Sequence, residues 1–455
     1  MTQLDSLQEE QEKKNEVGFQ TVLGHRDYAR LWSGQFVSNI GTAISALALM
    51  FYAYELTNSP MAMAILAMVE TIPVVIFAGF VGVYVDRWNR KKIMVASDIV
   101  RAIVILLIPL TIYISSSIPT IYWVFLLTFI YATANAWFFP ARSASIPNLV
   151  EGNELVAANS LSQMTFQVVQ LVVPPLGGIL VALLAPNYFF AFAITSTTFI
   201  FSAIALGGIG TDLTPSRDST DRDSLRAQII QGGKYVAGNS ILSFLFVFAM
   251  LIAMSSGILN ALFMPYLEGE LQLGSTQIGL VLSAGAASGA ITAIYFSKKQ
   301  DIDRPLYLVT FAGFWAGIAV FAMVIAFDLV TVMISWAMIG AVDVVLNIPL
   351  TVLMQELVED DIRGRVFALL NVAFTAIQVV GMGIGGVWAE SVGSTGPPFI
   401  GAGIALVVVS IIGFVVVAQM KLHAKLEEQK VSHQAATEVS DEETDEEVIM
   451  SAITQ

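Results

Sequence analysis

Glu70 and Asp343 stand deep inside long apolar stretches, each with no lysine or arginine within helical reach. A carboxyl group buried in apolar surroundings favours its protonated form, and water reaching it from one side lets it release the proton. Residues placed this way are suited to proton loading and release across a membrane, driven by about 2.3 kcal/mol per charge per 100 mV. The plainer reading is a structural acid hydrogen-bonded to a neighbouring amide or carbonyl. Asp98, Arg101 and Arg142 lie near the ends of other apolar stretches. Snorkelling accounts for each of them singly. Paired, they would form a gate, because an unpaired charge at that depth costs several kcal/mol.

Amides and hydroxyls recur at helical spacing within the same stretches. The sets are Gln35, Ser38, Asn39, Thr42 and Ser45; Thr128, Tyr131 and Asn135; Gln163, Gln167 and Gln170; Ser256 and Asn260; Asp343, Asn347 and Thr351; and Asn371, Thr375 and Gln378. Helical periodicity keeps each set on one face. Such a face turns to protein or water rather than to lipid. Interhelical polar contacts, worth about 0.6 kcal/mol each, explain any one stripe. Their placement in both halves of the chain favours a wet central cavity.

Other chemistries find little support. The chain has no cysteine, and its three histidines (His25, His423, His433) lie outside the apolar stretches. No disulfide, thiolate nucleophile, metal site or Ser–His–Asp triad is therefore expected in the membrane, and no cofactor. Gly232-Gly233-Lys234-Tyr235 lacks the spacing and the hydroxyl of a phosphate-binding loop, which argues against an ATP-driven pump. No basic stripe with interleaved aromatics suggests nucleic acid. The chain is not read as an enzyme.

The elements that must carry these residues are membrane helices. The chain is 56% hydrophobic and 13% charged, against about 25% charged in soluble domains. Apolar runs of about 20 residues suffice to cross a bilayer as helices. Twelve spans are predicted, at 31–54, 61–85, 93–115, 119–140, 158–184, 188–209, 243–265, 275–296, 305–327, 329–351, 366–389 and 399–419. Alternate loops divide the 22 basic residues absolutely. Arg87, Arg90, Lys91 and Lys92, then Arg217, Arg222, Arg226 and Lys234, then Lys298, Lys299 and Arg304, then Arg363 and Arg365 fall on one side. The loops around Asn58, Ser116, Pro186, Gly269, Asp328 and Ser394 hold none. Positive charge is retained in the cytoplasm during insertion, so the basic loops and both termini are expected there. The polar start, Met1 to Val17, is not a signal peptide.

Five segments follow: a cytoplasmic N-terminal segment 1–30, a six-helix bundle 31–210, a linker 211–240, a second bundle 241–420 and an acidic tail 421–455. The linker reading rests on Pro215 and seven charges between Thr211 and Arg226. Glu427 to Gln455 holds nine acids against Lys430 and reads as disordered and solvated. The bundles are related: shifting Leu149–Gly178 by 208 residues onto Leu357–Gly386 matches nine of thirty positions. The matches include Gln170 with Gln378 and the Gly177-Gly178 pair with Gly385-Gly386. This is a parallel duplication that carries span five onto span eleven.

Between spans two and three stands Gly82-Val83-Tyr84-Val85-Asp86-Arg87-Trp88-Asn89-Arg90-Lys91. Gly82 permits close helix approach. Asp86 stands where it could accept hydrogen bonds from a facing helix N-terminus. Arg87, Arg90 and Lys91 hold the loop at an anionic leaflet. The run matches G-x-x-x-D-R-x-x-R-[RK] and resembles the marker of the major facilitator superfamily. Phe139-Pro140-Ala141-Arg142-Ser143-Ala144-Ser145-Ile146-Pro147, running on to Ala157-Ala158-Asn159-Ser160-Leu161, and Ile362-Arg363-Gly364-Arg365-Val366-Phe367 resemble its macrolide-efflux and enterobactin-exporter branch. The resemblance covers residues 20–420. It implies two six-helix bundles forming a transporter linked to the proton-motive force, most often an exporter, in a bacterial plasma membrane. It implies further that Asp86 and its loop clasp the start of span eleven near Arg363, and that Arg142 is tied to proton coupling. The G-x-x-x-G-P-x-x-G-G run common in exporters is altered here, with Val169 and Val173 in place of the upstream glycines.

The leading expectation is a monomeric, proton-coupled exporter of amphipathic small molecules, because the stripes carry amides, hydroxyls and aromatics with few fixed charges. The alternatives are an uptake symporter for a small solute and a non-transporting sensor or scaffold. Asp343→Asn would be silent in the last case.

Overall fold

The structure, a computed structural model, describes residues 18–114, 117–185, 187–215, 225–299, 304–326, 328–420 and 422. The acidic tail beyond Leu422, the first 17 residues and part of the linker lie outside the described residues.

Twelve long helices form the body, and the described residues contain no strand. They are Arg26–Thr57, Pro60–Val85, Arg90–Leu107, Thr120–Ser145, Leu155–Leu184, Phe189–Gly207, Ser240–Met264, Ser275–Ser297, Pro305–Val324, Leu329–Leu357, Asp360–Val392 and Gly396–Gln419, numbered below as spans one to twelve. Several begin at a side chain suited to the role. Ser59, Asn89, Asn239 and Asp328 accept first-turn backbone N–H groups at 3.2, 3.2, 2.9 and 2.7 Å, which satisfies donors that a helix start leaves open. All twelve expected spans are present. Spans one, ten and eleven outrun their expected bounds at the end that carries the basic loops. Hydropathy stops at the first charges, whereas the backbone ladder continues through them. The expected linker also contains a helix, Leu225–Gly238. It lies against the start of span eleven, where Gly232 meets the Arg365 carbonyl and Tyr235 donates to the Leu357 carbonyl at 3.3 Å. Two adjacent glycines, Gly232 and Gly233, weaken any helical signal there.

Within each half, spans pack closely at small residues. A side chain on Gly340 would strike the backbone of Gly285, so spans eight and ten touch main chain to main chain. Span one packs on span six, and span three on spans four and six. Val169 and Val173 are buried with Ile44, filling the face between spans one and five where an exporter motif would place glycines.

The duplication is visible in how the matched glycine pairs are used. Gly177 faces Ile44 and Leu47 of span one, and its equivalent Gly385 faces Ile258 of span seven. Gly178 crosses to Ser275 and Thr276 of span eight, and its equivalent Gly386 crosses to Met61 and Ala64 of span two. The first glycine of each pair therefore packs on its own half, and the second joins the halves.

Candidate functional site

The deepest polar cluster belongs to the first half. Asp98 and Arg101 form an ion pair one helical turn apart on span three, and both are almost wholly buried. The Arg101 guanidinium lies 4.4 Å from the Phe138 ring centre and 4.6 Å from that of Phe199. It also donates to Asn135 Oδ1 at 3.3 Å. Two aromatic faces, a carboxylate and an amide thus hold one cation between spans three, four and six. The pair stands inside the first half, whereas Arg142 is held separately over the Phe139 ring at 4.6 Å.

Tyr131 lies one turn before Asn135, packs on Phe199 at 6.0 Å between ring centres, and feels both Arg101 and Glu70 electrostatically. Its hydroxyl faces Thr42 and Ser45 of span one without completing a hydrogen bond. The Thr128 hydroxyl, Gln35 Nε2 and Asn39 Nδ2 are likewise buried without a partner. Four unspent groups on spans one and four are unusual, because an unpaired buried donor costs about 1–3 kcal/mol. They give this region the hydrogen-bonding capacity to receive a polar ligand. Glu70, half-buried on span two, faces the same cluster.

The second half is arranged differently. Asp343 on span ten is exposed and accepts from Asn347 Nδ2 at 3.0 Å. Asn260, Asn347 and Asn371 are also exposed, as are Gln163, Gln167 and Gln170 on span five. Gln378 is half-buried, with its backbone carbonyl against Gly257 of span seven. The 208-residue shift that relates the halves carries Asn135 onto Asp343. One position of the repeat thus holds an amide bonded to a buried arginine, and its copy holds an open carboxylate. Among the described residues no group of acids and histidines could hold a metal ion.

The two ends of the molecule differ as well. At the end that carries the basic loops, Arg90 donates to the Ala144 carbonyl at 2.7 Å and to Asn148 Oδ1 at 2.8 Å. Lys91 donates to the Ile209 carbonyl at 2.9 Å. Arg363 donates to the Val358 and Gln355 carbonyls, at the end of its preceding helix. These bonds stay within one half. Asp86 is the C-cap residue of span two, and Arg87 is exposed. Where a side chain on Gly82 or Gly364 would stand there is open space, so the close approach expected at Gly82 is not made in this conformation. At the opposite end the halves are joined. Glu390 accepts from the Ser59 hydroxyl at 3.1 Å, and Tyr54 lies against Gly269. Deeper on the same side, the Ser283 hydroxyl donates at 2.7 Å to the Leu171 carbonyl, which Pro175 leaves without its helical donor.

Sequence reasoning passes over this closed end. Glu55 accepts from the Tyr188 hydroxyl and lies within electrostatic reach of Glu268, while Glu270 holds Ser394 and Thr395. The available signal is the acids that stand where no basic residue occurs.

Twelve spans in two duplicated halves, joined to each other at the end opposite the basic loops, define a membrane transporter of the major facilitator type. The chain belongs to the family described as transmembrane secretion effector, which matches residues 20–451. It is 25% identical over 375 residues to macrolide efflux protein A of Streptococcus pyogenes, covering 80% of this chain and 89% of that protein. It is 24% identical over 356 residues to the enterobactin exporter EntS of Salmonella typhimurium, covering 75% and 80%. The crystal structure of the nucleoside transporter NupG shares its fold, with a TM-score of 0.66, 14% identity, and coverage of 86% of this chain and 98% of that one.

Proposed function

We propose that this transporter is an exporter of amphipathic small molecules that exchanges them for protons by alternating access, in a bacterial plasma membrane with its basic loops in the cytoplasm. The reading is carried by the unspent buried polar groups on spans one and four that lie beside Glu70, together with the exposed carboxylate of Asp343 on span ten. The relatives named for macrolide and enterobactin export support efflux. Open space at Gly82 and Gly364, set against joined halves at the other end, supports a conformation entered from the basic side.

In this cycle a substrate enters between the halves from the cytoplasm and meets Gln35, Asn39 and Tyr131. The contacts around Gly178 and Gly386 then part, and the basic ends close as Asp86 approaches the start of span eleven near Arg363. Protons entering from outside neutralise Glu70 and Asp343 and are released inside as the molecule resets. Arg142, Asp98 and Arg101 hold the first half's charges in place. The protein works as a monomer.

Flux in proteoliposomes under an imposed pH gradient tests this, with lipophilic cations, macrolides and an aromatic catecholate as the panel. Movement against the protons that is lost in Asp343→Asn is the expected result. Movement with the protons would make the protein a symporter, and a wild-type rate in Asp343→Asn would remove that residue from the coupling path.

A further inference from the structure

A groove of ≈ 940 Å³ opens beside spans two, three and four. Ala96 and Val100 of span three and Ile130 and Trp137 of span four line its apolar floor. Its rim at the basic end carries Arg87, Trp88 and Lys92. Val100 and Ile130 are exposed apolar residues on membrane-crossing helices, so the groove opens sideways into the hydrocarbon. Trp88 and Trp137 stack at 6.2 Å between ring centres beside the basic rim, the kind of aromatic pair enriched where headgroups meet acyl chains.

The charges at the rim select an occupant. Arg90 and Lys91 are already committed to Ala144, Asn148 and Ile209. Arg87 and Lys92 are exposed and make no ion pair among the described residues, with Asp212 within electrostatic reach of Lys92 and bound to Asn89 of the rim at 3.1 Å. An apolar floor beneath two exposed cations, of which Arg87 has no acid paired with it among the described residues, fits an amphiphile with a negative head. A soluble anion would have no use for the floor, and a lipophilic cation would be repelled at the rim.

We propose that this groove binds an anionic phospholipid of the surrounding leaflet, with an acyl chain along spans three and four and its phosphate against Arg87 and Lys92. The bound lipid braces the loop between spans two and three. That loop must shift when the basic ends of the halves come together, so leaflet composition sets how readily the transporter changes state.

Native mass spectrometry of the purified full-length protein tests this with phosphatidylglycerol and phosphatidylcholine of identical acyl chains. Phosphatidylglycerol is expected to be retained over phosphatidylcholine by about thirtyfold, the scale that two interfacial cations supply. Arg87→Gln/Lys92→Gln should abolish that preference. Ala96→Leu, which fills the floor and leaves both charges, should lower retention of the lipid; Ala134→Leu serves if Ala96→Leu unfolds in a thermal melt. Equal retention of the two lipids, or retention unchanged in all variants, would overturn the proposal in favour of ordinary annular contact. Displacement by glycerol phosphate alone would assign the rim to a free anion. Displacement by tetraphenylphosphonium would make the groove a substrate entrance.

Discussion

Arg101 is the residue on which the first half's polar interior turns. It is 2% exposed, and it holds Asp98, Asn135 and two aromatic rings at once. Arg101→Ala removes the cation from Asp98 in a dry site, and breaking such a buried pair from one side costs about 3–5 kcal/mol. Thermal unfolding in detergent should therefore show a large loss for Arg101→Ala and a smaller one for Asp98→Asn/Arg101→Gln, which removes both charges together. Equal losses would mean that the ring stacking, not the pair, carries the stability. Glu70 and Asp343 are a different kind of residue, since neither is paired with a cation among the described residues. Glu70→Gln and Asp343→Asn should keep substrate exchange between the two faces while losing proton-driven accumulation by at least about tenfold, the scale of a group that carries one charge through the field. Loss of exchange in both would make them structural instead.

At the scale of elements, the matched glycine pairs decide which surfaces close. Gly178 and Gly386 let span five meet span eight and span eleven meet span two, and backbone or a small side chain fills the space where a Cβ would go. Gly178→Leu and Gly386→Leu should hold that end apart. The chain has no cysteine, so single cysteines can report on it without further substitution. A cysteine at Leu282 should label faster from that end in Gly178→Leu than in the parent, and unchanged labelling would show that the contact is dispensable for closure. Ser283→Ala should cost about 1–3 kcal/mol, because the Leu171 carbonyl then has neither a helical nor a side-chain donor; a denaturation series in detergent measures it.

The same elements show what the sequence makes legible. Spans, order and duplication are carried by apolar length, charge sidedness and the repeated Gly-Gly, all of which are one-dimensional signals. The helix Leu225–Gly238 is hidden because its glycines and charges resemble a linker, and its packing on Arg365 and Leu357 is a tertiary effect. The stripes are legible as faces, but not which of them are buried. Gln35 and Tyr131 are enclosed, whereas Asn347 and Asn371 are open, although the spacing of the two sets is alike. The valines at 169 and 173 read as a departure from an exporter pattern until their contact with Ile44 gives them a packing role. The acids Glu55, Glu268, Glu270 and Glu390 sit at helix ends, where a carboxylate has many uses and hydropathy records none.

At the scale of the molecule, joined halves at one end and open space at Gly82 at the other describe one state of a cycle. Spin labels on cysteines at Leu155 and Ser297, the basic ends of spans five and eight, should report a long distance that shortens when substrate and an outwardly acidic gradient are applied together. Labels at Ala185 and Gly274 should move in the opposite sense. A fixed distance in both pairs under all conditions would support the sensor reading over transport.

In the proposed cycle, protons and an amphipathic substrate move in opposite directions through one path containing Glu70 and Asp343. The most direct test is to load proteoliposomes with a pH-sensitive dye, impose a substrate gradient at equal pH, and record the internal pH. Proton flux opposite in direction to substrate flux is expected, and its absence in Glu70→Gln and in Asp343→Asn. Substrate flux of the same size with no change in internal pH would contradict it.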